Sequence, residues 1–168
     1  MADERTYPHD PTPGPSLMPD SYGLVAWDAS APRDWSVVTA KLAVARNYWV
    51  TSASADGRPH AAPVWGLWFE GALCLSTGTE SRKGRNLAAR PDVIVHLESG
   101  DDVVLIDGVI EPMTDPTTLA RFADAYHAKY AFRPDPAATG SVYLRVRPRA
   151  VLTWLESDFV DSAVRWAF

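Results

Sequence analysis

The densest chemistry in this 168-residue sequence lies in Ser76-Thr77-Gly78-Thr79-Glu80-Ser81-Arg82-Lys83-Gly84-Arg85-Asn86-Leu87. Two hydroxyls at the end of an apolar run lead into a helix start that carries Arg82, Lys83 and Arg85. Positive charge in the first turn of a helix opposes the macrodipole, so it is locally unfavourable. A bound anion reverses the sign of that cost. The Ser81 hydroxyl, the free N–H groups of the first turn and the Arg82 and Lys83 cations together have the make-up of a phosphate site. A solvated basic helix face accounts for the same residues equally well, and on these residues alone both readings stand.

Upstream, His60-Ala-Ala-Pro-Val-Trp-Gly-Leu-Trp places Gly66 inside a strand pattern among aromatic neighbours. Glycine weakens a strand unless it marks a bulge or lets a backbone or flat ligand approach closely. Other chemistries find no support. There is no HExxH pattern, no GxSxG elbow, no GxGxxG and no P-loop. The four histidines, His9, His60, His96 and His127, lack metal-ligand spacing. Cys74 lies in an apolar run and reads as buried and inert, and Asp101-Asp102 reads as a solvated acidic turn.

These residues need elements to hold them. Asp34 caps a predicted helix with Trp35, Val38, Leu42 and Ala45 at helical spacing. Strands are expected over 48–54, 58–69, 72–77, 93–98, 103–113 and 141–155, with Pro148 bending the last or placing it at an edge. Ser81 caps a short helix stopped by Pro91. Pro116 opens another with Leu119, Phe122, Ala123, Tyr126 and Tyr130 on one stripe. Six strands with two or three helices make an α+β domain, and successive hairpins favour an antiparallel sheet closing into a small barrel. Residues 1–33 hold six of the fourteen prolines, which reads as a flexible or draped arm unable to build a sheet. The domain is expected over 34–155, with 156–168 a tail packed on the barrel or on a partner subunit.

Composition bounds the partners. The formal charge is −5 and the pI about 5.3, so there is no global basic field for nucleic acid. No apolar run approaches the ~20 residues of a membrane helix, and no signal-type start is present. A single cysteine excludes an internal disulfide framework. A cytoplasmic protein is expected. Thirteen Arg against three Lys, with 24 Ala, mark a GC-rich coding sequence.

From Tyr48 to Leu155 the chain resembles the pyridoxamine-phosphate-oxidase-like split barrels, in particular the flavin/deazaflavin oxidoreductases common in actinobacteria. The carriers are YWVTSASADGRPHAAPVWGLWF, ALCLSTG…SRKGRNLAARP, VIVHLESGDDVVLIDGVIEP and AYHAKY. The resemblance implies a six-stranded antiparallel split β-barrel, a homodimer, and a flavin-type cofactor at the subunit interface, either coenzyme F-420 or FMN. By position it implies Val64, Trp65 and Gly66 at the ring, Ser76 and Thr77 near the ring and ribityl chain, and Ser81, Arg82 and Lys83 on the phosphate, supported by Asn86. No metal is implied. Vitamin-B6-type oxidases carry an arginine where spacing puts Pro63 here, and a longer C-terminal substrate region, so pyridoxamine phosphate oxidation is disfavoured. The expected activity is hydride transfer between F-420 and a small organic acceptor. The alternatives are an FMN-binding protein of the oxidase type, a cofactor carrier without turnover, or haem handling through His60 or His96. The cofactor ring carries the chemistry in such enzymes, so no catalytic residue is assigned. His60 and Tyr126 are candidate proton donors with structural roles as the competing reading, and Arg165 and Trp166 are candidates to close over the site.

Overall fold

Local capping signals open each of the longer helices in the computed structural model, which describes residues 10–168. Asp34 accepts from the Ser36 N–H at 2.8 Å and starts α1 (Trp35–Val44), whose Trp35, Val38 and Leu42 turn inward. Ser81 starts α2 (Arg82–Ala89), and Asp115 accepts from the Thr118 N–H at 2.7 Å to start α3 (Pro116–Tyr130). A single turn, α4 (Phe159–Ser162), adds a fourth helix to the two or three expected.

Nine antiparallel strands stand where six were expected, among the described residues: β1 (Thr12–Pro15), β2 (Tyr48–Ala53), β3 (Pro59–Val64), β4 (Leu67–Phe69), β5 (Ala72–Gly78), β6 (Asp92–His96), β7 (Asp102–Pro112), β8 (Ser141–Leu155) and β9 (Val164–Ala167). The expected strand 58–69 divides at Trp65-Gly66. The tail supplies β9. The third addition corrects the reading of the proline-rich arm, because β1 pairs with β9 from Thr12↔Ala167 to Pro15↔Val164. Pro13 and Pro15 alternate along this edge strand, so their missing donors fall on one side and Thr12 and Gly14 keep the only amide donors. His9 and the rest of residues 1–9 lie outside the described residues. Asp102 also differs from expectation in part: it begins β7 and, though still half-exposed, pairs with Lys41 at 2.5 Å.

The hydrogen-bonded order is β1-β9-β8-β7-β6-β2-β3, with β5 joining the second edge of β8 and β4 joining β5. β8 pairs with β7 from Leu144 to Leu155, while its other edge is shared by β5 over 141–146 and β9 over 150–153. The β7/β8 register shifts at Asp107/Gly108, opposite Pro148, which is how the sheet accommodates the proline inside a long strand. The sheet curls around one interior: Val50, Val64, Leu75, Val95, Ile106, Val146, Val151 and Trp166 belong to one buried cluster, covered by α1 and α2. A second cluster lies outside β4 and β5, where Leu67, Cys74 and Tyr143 meet Phe122, Tyr126 and Tyr130 of α3. This α+β arrangement is a split barrel. Among the described residues no helix is long and apolar enough to cross a membrane.

Trp166 is only 3% exposed and its ring lies 5.2 Å from that of Trp35. It is therefore core, and the idea that it closes over a site is corrected. Trp166→Ala should destabilise the protein by about 3–5 kcal/mol, read as a lower urea midpoint at unchanged slope. A shift under a tenth of that would mean that β9 contributes nothing to the fold.

Candidate functional site

Strand β5 ends at Gly78 and α2 begins after three intervening residues, so the basic segment is held against the end of the barrel. The Ser81 Oγ accepts from the Gly84 N–H at 2.9 Å and lies 3.1 Å from Thr77 Oγ1. Ser81 N–H donates to the Gly78 carbonyl, and Thr79 N–H to that of Gly140. Gly84 makes this tight junction possible. A Cβ there would collide with the Gly78 carbonyl oxygen and come within 2.9 Å of that of Thr79. A glycine in the first turn of a helix costs helix stability, and that cost was the available sequence signal.

Further along α2, Asn86 is buried and its Nδ2 donates to Ser52 Oγ at 3.2 Å, tying the helix to β2. Ser52, not singled out in the sequence, is also buried. Arg85 donates to the Glu80 carbonyl, and Arg90 donates to that of Ala55 at 2.7 Å. Arg58 pairs with Asp56 at 3.0 Å. Arg82 and Lys83 make no ion pair among the described residues. Arg82 is exposed, whereas Lys83 is half-buried, and loss of solvent pulls its ammonium pKa below the ordinary lysine value. A partly desolvated, unpaired cation next to a capped helix start fits an anionic group such as a phosphate.

The nine residues implied at the cofactor fall into separate places. Thr77, Ser81, Arg82, Lys83 and Asn86 gather at the β5–α2 junction and the underlying hairpin. Ser76 does not join them: strand alternation turns it to the opposite face from Thr77, paired with Tyr143. Val64 faces the barrel interior and pairs with Tyr48. Trp65 turns the other way and stacks on Tyr130, with ring centroids 4.7 Å apart and planes 8° from parallel. The Arg46 guanidinium lies 5.4 Å from the Trp65 ring.

Gly66 has a backbone reason for being glycine. A Cβ would sit 3.0 Å from the Cys74 carbonyl oxygen. Its N–H donates to Tyr130 Oη at 3.1 Å, and its carbonyl accepts from Tyr130 Oη at 2.7 Å or from Lys129 Nζ at 3.3 Å. Side chains of α3 thus replace a strand neighbour here, which is why the expected strand breaks. Lys129 also donates to the Ala43 carbonyl and to Tyr48 Oη, each at 3.1 Å. Burial lowers the Lys129 pKa and raises that of Tyr130. Cys74, Tyr126 and His96 are packed into the fold. Cys74 is fully buried, with its thiol pushed up to about 12, and burial likewise raises Tyr126 to about 12. His96 contacts the Leu97 carbonyl through Nδ1 at 2.7 Å and stacks on Trp49.

A cavity of about 840 Å³ lies between residues 15–33 and α4, and one of about 210 Å³ lies beside Trp35, Trp68 and Phe168. Neither is lined by residues 76–86. Gly84→Ala should cost about 1–3 kcal/mol in urea unfolding through the clash with Gly78, although alanine is the better helix former. A stability gain would show that the junction can relax.

The model of the family described as pyridoxamine 5'-phosphate oxidase matches residues 38–155. No curated protein matches the sequence. Among solved structures, a conserved hypothetical protein from Mycobacterium tuberculosis superposes with a TM-score of 0.65 at 22% identity, covering 79% of this chain and 91% of that one. An F-420 reductase gives 0.56 at 20%, covering 72% and 98%. A haem-binding protein from Mycobacterium smegmatis gives 0.59 at 19%, covering 74% and 55%. At these identities the likeness carries the fold. Because the family match runs from within α1 to the end of β8 and takes in both the barrel and the α2 junction, the chain belongs to the pyridoxamine 5'-phosphate oxidase family.

Proposed function

We propose that this protein is a flavin- or deazaflavin-dependent oxidoreductase moving a hydride between coenzyme F-420 and a small organic acceptor. The observation that carries the reading is Lys83, half-buried and unpaired among the described residues beside Arg82 at a serine-capped helix start. Ser81, Arg82 and Lys83 would hold the cofactor phosphate. Thr77 steadies the Ser81 hydroxyl, and Asn86 is committed to Ser52, so it anchors the helix under that anion. Of the three residues implied at the ring, exposed Trp65 would lie along it, whereas Val64 faces the barrel interior and the backbone of Gly66 is bonded to α3. The bound ring supplies the hydride chemistry, and the protein supplies binding, orientation and exclusion of water.

Exclusion of water asks for a second surface, since Arg82 is exposed. A homodimer with the cofactor at its interface supplies one. An outward row, Trp49–His96–Leu105–Leu152, crosses four paired strands and is half-buried, which suits apolar contact between two copies. F-420 is preferred over FMN because Pro63, on the exposed side of β3, offers no cation for a second phosphate contact.

Titration of the purified protein with F-420 and with FMN, followed by fluorescence, tests the reading. F-420 should bind more tightly, and Arg82→Ala/Lys83→Ala should weaken binding by about 2–4 kcal/mol with folding intact. Tighter FMN binding would assign the protein to the oxidase-like branch, and unchanged affinity in the double variant would remove the phosphate assignment.

The anion needs Lys83 charged, and its ammonium titrates below the ordinary 10.5. Affinity should therefore fall as pH rises through the alkaline range toward 10.5, with binding taking up protons there. Lys83→Arg, charged throughout, should flatten that slope. A wild-type affinity independent of pH up to 10.5 would show that Lys83 does not meet the anion.

A further inference from the structure

One polar atom on the strand beneath α2, the buried His60 Nδ1, has no hydrogen-bond partner among the described residues. His60 sits directly opposite Ser52 in the β2/β3 register. Directly paired residues of antiparallel strands project from the same face, and on that face Ser52 Oγ accepts from Asn86 of α2. The imidazole therefore shares the space beneath α2 with Ser52 and Asn86, one helical turn beyond Arg82 and Lys83.

The buried atom fixes the chemistry of the ring. A proton on Nδ1 would be an enclosed donor without an acceptor, which is costly. The neutral ring therefore keeps its proton on Nε2, and Nε2 is the nitrogen able to face a ligand. Arg82 and Lys83 open α2 one turn before Asn86, and Arg58, two residues before His60 in the hairpin, is paired with Asp56.

We propose that His60 is a specificity-determining residue of the anion site, donating through Nε2–H to the ligand's phosphate and selecting phosphorylated over unphosphorylated ring ligands. This inference rests on the phosphate assignment to Ser81, Arg82 and Lys83, and it gives β3 a share in a site otherwise built from α2. A single ring N–H adds directionality where the two cations add charge. Glutamine can present a side-chain N–H at similar reach, whereas alanine cannot.

The test compares FMN with riboflavin, which lacks only the phosphate, on wild-type protein, His60→Ala, His60→Gln and Arg82→Ala/Lys83→Ala. Urea unfolding of each variant establishes that the fold is retained. His60→Ala should lose roughly tenfold in affinity for FMN and leave riboflavin binding within about twofold, whereas His60→Gln should recover most of the loss. F-420 and its unphosphorylated chromophore form a parallel pair if FMN binds weakly. Equal losses for both members of a pair in His60→Ala, or no loss for either, would overturn the role of His60. If the double variant loses its phosphate preference while His60→Ala keeps it, this inference alone fails. If the double variant also keeps that preference, the phosphate assignment fails and the role of His60 falls with it.

Discussion

Every backbone donor and acceptor along β8 must find a partner or face water, and no single strand satisfies the fifteen residues on its second edge. β7 runs the length of one edge. The other is divided, with β5 taking the first part and β9 the second. That division splits the barrel. It sends β5 toward the α2 junction at one end and draws the tail, and through it the proline-rich β1, into the sheet at the other. The register shift opposite Pro148 falls between the two segments, so the strand turns from one neighbour to the next where its ladder is already interrupted.

The same accounting governs the seam between β3 and β4. At Gly66 the chain leaves one strand pairing and enters another, and its amide groups are satisfied by Tyr130 and Lys129. This fastens α3 to the barrel and to the end of α1 through the Ala43 and Arg46 carbonyls. It also fixes the stack of Trp65 on Tyr130. The tryptophan that family resemblance puts at the cofactor ring is thus held from behind by α3.

Electrostatics separate the two basic regions. Lys129 has lost solvent but gained three acceptors, so its burial is compensated by hydrogen bonds. Lys83 has lost solvent without an ion pair among the described residues. Of two lysines with depressed pKa values, the uncompensated one is the candidate for meeting a ligand. Arg82, Lys83 and the Ser81 cap would then be stabilised by an anion that the helix start is already built to accept.

The sequence by itself determined what depends on local signals. The caps at Asp34 and Ser81, the helix-opening Pro116, the tight turns and the alternation of apolar residues place the helices and most strands. The order of its segments pointed to the family, and the cations around Ser81 marked the candidate anion site. What the sequence could not carry were facts that depend on partners distant in the chain. Strand alternation separates Ser76 from Thr77, but only the fold shows that Thr77 is the one that meets Ser81. Gly66 reads as a weak point in its strand, and only the packed structure names the carbonyls of Cys74, at Gly66, and of Gly78, at Gly84, that forbid a side chain. The prolines of the arm argue against a sheet until β9 offers an edge whose bonds use only Thr12 and Gly14. Lys129, Tyr130, Ser52 and His60 take their roles from residues 8 to 86 positions away, which no local pattern encodes.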